Sequence, residues 1–273
     1  MLPTYTEGYK KTNMLPTPCT AHVSFDTVYE PSEDSYLFLD TLSSASESAW
    51  LSARFNPDTT TPSATPLLLE VGSGSGVVVS FVAANAHDIF RRRDVLALAT
   101  DVNRTACLAT RETAHKAIRD RQHDHPPPRP VYAASLMADL AAPLRPRSVD
   151  VLLFNPPYVP TEDLPPLPQQ SEQEASGLSR SAKFERDSYF LSLTYAGGRD
   201  GMETTDRLLE DIPNMLDPRR GVAYVLLCAQ NRPAEVRERI CAWGDGWNAV
   251  VVGNSGVQAG WEKLVIVRIW RDV

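Results

Sequence analysis

No two of the four cysteines, Cys19, Cys107, Cys228 and Cys241, form a CxxC pair or show zinc-site spacing. A disulfide framework and a metal site of the chain's own are both disfavoured, and the thiols read as scattered structural residues of a reducing compartment. No apolar run approaches the ~20 residues needed to span a bilayer. The N-terminal stretch MLPTYTEGYKKTNMLPTPCT lacks the apolar region of a signal peptide. Positive charge is also short. Against 34 Asp and Glu there are 27 Lys and Arg, a net charge of −7, which argues against the basic face of a nucleic-acid binder. Two phosphate-binding signatures are missing as well, the GK[ST] of a P-loop and the GxGxxG of a dinucleotide site. The expectation is a soluble, intracellular protein, cytoplasmic with the nucleus as a second compartment, and without a membrane partner.

What is present fits an ordinary globular chain. Hydrophobic residues make up 42% and charged residues 22% of 273, enough for one large α/β domain or two small ones. There are no internal repeats and no second core, so one domain is expected over 28–273. A flexible segment, 1–27, precedes it, and it carries Ser-, Thr- and Pro-rich insertions at 43–66 and 161–187.

SEDSYLFLDTL (32–42) reads as a helix, with Ser32 as cap and Glu33 and Asp34 in the first turn, where the dipole favours anions. The 43–66 excursion holds a short helical piece near Trp50. From residue 67 the pattern becomes regular: PLLLEV, DVLALATDV, VYAASL, SVDVLLF and GVAYVLLCAQ are short apolar runs with helical stretches between most of them. That alternation predicts βαβ units and a parallel sheet covered on both faces. The last two β-rich runs, NAVVVGNSG and EKLVIVRIW, have no room for a helix between them and should pair antiparallel at the sheet edge. The 161–187 stretch reads as a long loop, and RRRD at 91–94 as a solvated helix end. His115, His123 and His125 read as surface histidines.

LLLEVGSGSGVVVS puts Glu70, Gly72, Gly74 and Gly76 at the first strand-to-helix turn. A tight turn with no ligand would use the same glycines, but GxGxG after an acid suits a nucleoside-like ligand without a pyrophosphate. Asp101 ends the second strand, where a carboxylate can accept both hydroxyls of a ribose. It could equally serve the helix start at Asn103. Asp139 follows the third strand, placed to read an adenine amino group with Leu140 packed on the ring. Ligands of open parallel sheets bind beyond the carboxyl ends of the strands. The three tips together point to S-adenosylmethionine (SAM).

NPPY (155–158) follows the fourth strand, at the same edge. Prolines end the strand because they cannot donate to a ladder, and a plain Asn-Pro turn is the simple explanation. Beside a SAM site the motif gains a chemical role. The nitrogen of an amide or aromatic amine is a poor nucleophile because its lone pair is delocalised. The side-chain carbonyl of Asn155 and the main-chain carbonyl of Pro156 can hold its two N–H donors while the lone pair faces the methyl group. Those bonds strengthen as positive charge develops. Pro157 removes a competing donor, and Tyr158 can cover the flat acceptor face.

NPPYVPT, YEPSEDSYLFLDTL, LEVGSGSGVVVSF and YAGGRDGMETTDRLL together resemble the eukaryotic and archaeal HemK-like glutamine methyltransferases, from about Val28 onward. The resemblance implies a class I, Rossmann-like methyltransferase fold: a seven-stranded, mostly parallel sheet with a C-terminal antiparallel hairpin. It implies SAM contacts at Ser35, Glu70, Gly72, Gly74, Asp101, Asp139, Leu140 and Asn155, and an acceptor pocket of Asn155, Pro156, Pro157 and Tyr158. The implied substrate is the glutamine of the Gly-Gly-Gln motif in the class I translation termination factor. The implied partner is a small zinc-binding activator that adds a strand beside Val131–Ser135, the zinc belonging to the partner.

Three rivals remain at this stage. An adenine-N6 DNA or RNA methyltransferase would use the same amine chemistry but needs a basic groove, base flipping and a target-recognition region. A protein lysine methyltransferase must deprotonate its substrate, and NPPY offers no base. A scaffold that kept only the fold would not need the intact motif set.

Overall fold

A computed structural model describes residues 14–56, 64–123, 125–169, 177–244, 246–256 and 263–272. Five apolar strands run parallel: β1 (Leu67–Val71), β2 (Leu96–Asp101), β3 (Val131–Met137), β4 (Val151–Phe154) and β5 (Val222–Cys228). β6 (Trp247–Asn254) and β7 (Leu264–Arg271) close the sheet as the expected antiparallel pair. The order is β3-β2-β1-β4-β5-β7-β6. The chain therefore steps outward from β1 and returns to β4 on its other side, which opens a crevice beyond the carboxyl ends of those two strands.

Helices cover both faces. On one side α1 (Glu33–Ser43), α2 (Ala45–Phe55), α3 (Val77–Ala84), α4 (Ala86–Phe90) and α5 (Arg104–Gln122) pack Phe38, Leu51, Val79, Ile89 and Ala114 onto the sheet. On the other, α7 (Glu203–Met215) and α8 (Pro233–Cys241) bring Leu208, Ile212 and Ile240 against Leu69, Leu152 and Ile269. β5, covered on both sides, is buried at every position, as a central parallel strand requires.

Several expectations need correction. The 43–66 excursion is largely a full helix, α2, started by Ser44, whose hydroxyl accepts the Glu47 N–H at 3.2 Å. Residues 57–63 of it lie outside the described residues. Glu47 is buried and anchors the helix, accepting from the Tyr224 hydroxyl at 2.9 Å and the Arg268 guanidinium at 2.8 Å. Arg268 in turn stacks on Trp50, 4.0 Å from its ring centre.

The 161–187 loop is shorter than expected, because α6 (Arg180–Tyr195) begins inside it with Ser179 accepting from Ala182 N. Residues 170–176 lie outside the described residues. The helical stretch after the glycine loop is broken at Asn85 into α3 and α4, and the Asn85 side chain donates to the Phe81 carbonyl at 2.9 Å. In the basic run, Arg92 is turned inward to Asp94 and the Phe55 carbonyl rather than solvated. The segment expected to be free at 1–27 is seated over its later part. Val23 is buried with Ala106 and Ala109 of α5, and Thr27 is buried too. Residues 1–13 lie outside the described residues.

Candidate active site

β1 delivers the chain into the glycine loop with Gly72 at φ 64° and Gly74 at φ 53°. Both lie in the left-handed region, which side chains other than glycine disfavour. A Cβ on Gly74 would meet nothing within 4 Å, so glycine is needed there for its backbone and the space beside it stays open. Neighbours hold the loop in shape. Gly72 and Ser73 donate to the Thr100 carbonyl of β2 at 2.8 and 3.2 Å. From α5, Thr110 donates to the Gly74 carbonyl at 3.1 Å and Thr113 to that of Ser75 at 2.7 Å.

Three acids flank the loop. Asp101 accepts from Gly74 N at 2.9 Å with one oxygen and from Asn103 N at 2.8 Å with the other. Burial raises its pKa, and these bonds oppose the shift. Each oxygen retains acceptor capacity for a ligand hydroxyl. Glu70 is buried, accepts from Val79 N at 2.9 Å, and its pKa is pushed up to about 8 by burial, with the nearby Asp101 charge adding to it. Asp139 is ion-paired with Arg207 of α7.

At the tip of β4, Asn155 donates its amide N–H to Asp34 at 3.1 Å. Its Oδ1 is buried and has no hydrogen-bond partner among the described residues. The backbone beyond is pinned to the end of α6 and the segment after it: Val159 N reaches the Tyr195 carbonyl at 2.9 Å and Gly197 N the Val159 carbonyl at 2.8 Å. Asn231 completes the hold, donating to the carbonyls of Tyr158 and Asp200 at 3.2 and 3.0 Å.

These groups share one cavity of about 430 Å³, within the span usual for small-molecule sites. Its wall includes Ser35, Glu70, Gly72, Gly74, Asp101, Asp139, Leu140, Asn155, Pro156 and Pro157. Tyr158 is not in that wall. It is partly buried and packs against the core. Sequence reasoning also missed Asp34, Arg207 and a strap at Thr27–Tyr29. Asn103 carries the strap by donating to the Thr27 carbonyl at 2.7 Å, while its Oδ1 caps α5 by accepting Thr105 N at 2.9 Å.

No family model matches the chain. The human protein named methyltransferase HEMK2 is 34% identical over 264 residues, covering 94% of this chain and 97% of that relative. The chain belongs to the HEMK2 family of methyltransferases. Another relative, the eRF1 methyltransferase catalytic subunit mtq2 of Schizosaccharomyces pombe, is 29% identical over 261 residues, 94% of this chain and 96% of its own length. Among solved structures, human methyltransferase 10 domain containing protein aligns with 90% of this chain and 85% of its own, at a TM-score of 0.50 and 12% identity. That likeness is one of fold, the class I methyltransferase fold.

The cofactor of this HEMK2-family enzyme is SAM, and the cavity suits it. The open space at Gly74, the remaining acceptor capacity of Asp101, and Asp139 beside Leu140 offer places for amino-acid, ribose and adenine parts respectively. Bound there, SAM supplies a methyl group already activated on a sulfonium. The chain's own contribution is to the acceptor. Asn155, whose Oδ1 has no hydrogen-bond partner among the described residues, and Pro156 both line the same cavity. Both offer carbonyl oxygens that can take N–H donors, and residues of the strap and of α6 complete the wall around them.

Proposed function

We propose that this protein methylates the side-chain nitrogen of the glutamine in the Gly-Gly-Gln motif of the class I translation termination factor. The observation that carries this reading is the buried, unsatisfied Oδ1 of Asn155 beside the rigid Pro156–Pro157 backbone. A buried acceptor without a donor is costly, and a substrate NH₂ group supplies the missing donor. In its support, the fission-yeast relative is named as the catalytic subunit of an eRF1 methyltransferase. Because that factor works with ribosomes, the reading puts the enzyme in the cytoplasm.

The reading extends to a partner, a small zinc-binding activator that adds a strand beside β3. In its favour, β3 ends the sheet order, and Val131 and Met137 on it are 55% and 51% exposed. An open apolar edge invites an added strand.

The test is label transfer from SAM by the chain co-expressed with the activator. The acceptors are the termination factor with Gln or Ala in its motif and, in parallel, duplex DNA. Label entering only the Gln protein is expected. Label in DNA alone would keep the amine chemistry and overturn the substrate.

A further inference from the structure

We propose that Asp34 is a positioning residue for methyl transfer: its carboxylate decides which end of the Asn155 amide faces the acceptor. The proposal rests on the reading of Asn155 as the group that holds the acceptor nitrogen.

The two atoms ending an asparagine side chain are alike in size and opposite in role. The nitrogen carries two donors and the oxygen only accepts. Rotation about χ2 exchanges them within a broad, roughly two-fold torsional profile. An amine acceptor needs the oxygen, because a donor facing its own N–H groups would repel it. The prolines after Asn155 cannot make that choice, since they fix the main chain and leave χ2 untouched.

Asp34 can make it. A carboxylate accepts and does not donate, and its Oδ2 lies 3.1 Å from the Nδ2 of Asn155. With the amide nitrogen drawn to that side, the oxygen must turn to the other. Asn155 Oδ1 is buried with no donor among the described residues, and Asn155 is one of the residues that line the methyl-transfer cavity. Asp34 is itself held fast. It is 3% exposed, and its Oδ1 accepts from Ser35 N at 2.6 Å and the Ser35 hydroxyl at 3.3 Å. It sits in the first turn of α1, where the helix dipole attracts an anion. Ser35, the next residue, faces the same cavity. One helical turn therefore lines the cofactor space and orients the acceptor-holding amide.

The test is steady-state methylation of the Gln termination factor by the activator-bound enzyme, with S-adenosylhomocysteine affinity and thermal melting as controls. Asp34→Asn is nearly isosteric but can present either a donor or an acceptor to Asn155. It should lower kcat on the order of 10²-fold, the cost of misplacing a reacting group, while cofactor affinity stays within about twofold. Asp34→Glu, which keeps an acceptor-only group, should recover part of the loss. In an Asn155→Ala background, Asp34→Asn should cost nothing further, because its partner is gone. A wild-type kcat for Asp34→Asn overturns the proposal. So does an equal loss in both backgrounds, which would mean that Asp34 acts independently of Asn155. If Asp34→Asn melts early, Asp34→Ala in the same cycle gives the same decision. A fully active Asn155→Ala overturns the underlying reading of the amide, and the role of Asp34 with it.

Discussion

A Cβ placed on Gly201 would collide with the main-chain oxygen of Tyr158. Gly197 stands in the same relation to the oxygen of Pro157, at 2.5 Å. The AGGRDG turn after α6 is thus the surface on which the NPPY backbone rests, and Asn231 ties the two together. Gly201 also sits at φ 68°, a conformation that costs a side-chain-bearing residue about 1–2 kcal/mol.

Gly201→Ala should therefore displace the acceptor-holding segment and leave the glycine loop alone. The expected outcome is a loss in kcat on the order of 10²-fold with nearly unchanged S-adenosylhomocysteine affinity. Titration calorimetry beside steady-state kinetics separates the two. Full activity in this variant would mean that the turn does not set the position of NPPY.

Glu70 makes stability depend on pH in a direction opposite to that of a salt-bridged acid. Its carboxyl holds its proton up to about pH 8 in the folded state against an ordinary value of 4.5, chiefly through burial. Between those values the unfolded chain binds fewer protons, so stability falls as pH rises. The contribution is complete below about 4.5 and is lost as pH climbs through 8. Glu70→Gln stays neutral and can still accept from Val79 N. Urea unfolding of both proteins at pH 5 to 9 should show wild type losing stability relative to the variant toward alkaline pH. Parallel curves would refute this assignment.

Much of the fold was legible because it rests on apolar periodicity. The strands from Leu67 to Cys228 are runs of Leu, Val and Ala bounded by polar residues or prolines, and the absence of room for a helix before Leu264 forced the last pair antiparallel. What escaped was set by distant partners. α2 is written mostly in Ala and Ser, and its burial depends on Tyr224 and Arg268 more than on its own pattern. Asp34 looked like any acid in a first turn, because only the fold brings Asn155 to it. The hold on the NPPY backbone likewise comes from Asn231, far downstream in the chain.

The α2 anchor has its own consequence. Glu47→Ala leaves Arg268 a mostly buried cation stacked on Trp50 and Trp270 without its carboxylate. Breaking one side of such a pair costs about 3–5 kcal/mol. Because Glu47 is not in the cavity wall, kcat below the melting range should stay near wild type while the melting temperature falls. A variant that melts normally, or that loses kcat first, would refute the division between brace and site.

The β3 edge gives the sharpest test of the proposed activator. Val131 and Met137 are its exposed large apolar residues, and β2 occupies its other side. Natural edge strands use lysine to block strand addition, because burying the charge against a partner is costly. The double variant Val131→Lys, Met137→Lys should therefore lose co-purification with the activator. Its S-adenosylhomocysteine affinity should hold, since neither residue lines the cavity. Loss of both properties would point to a folding defect rather than to a docking edge. A complex that survives both lysines would place the activator elsewhere on the molecule.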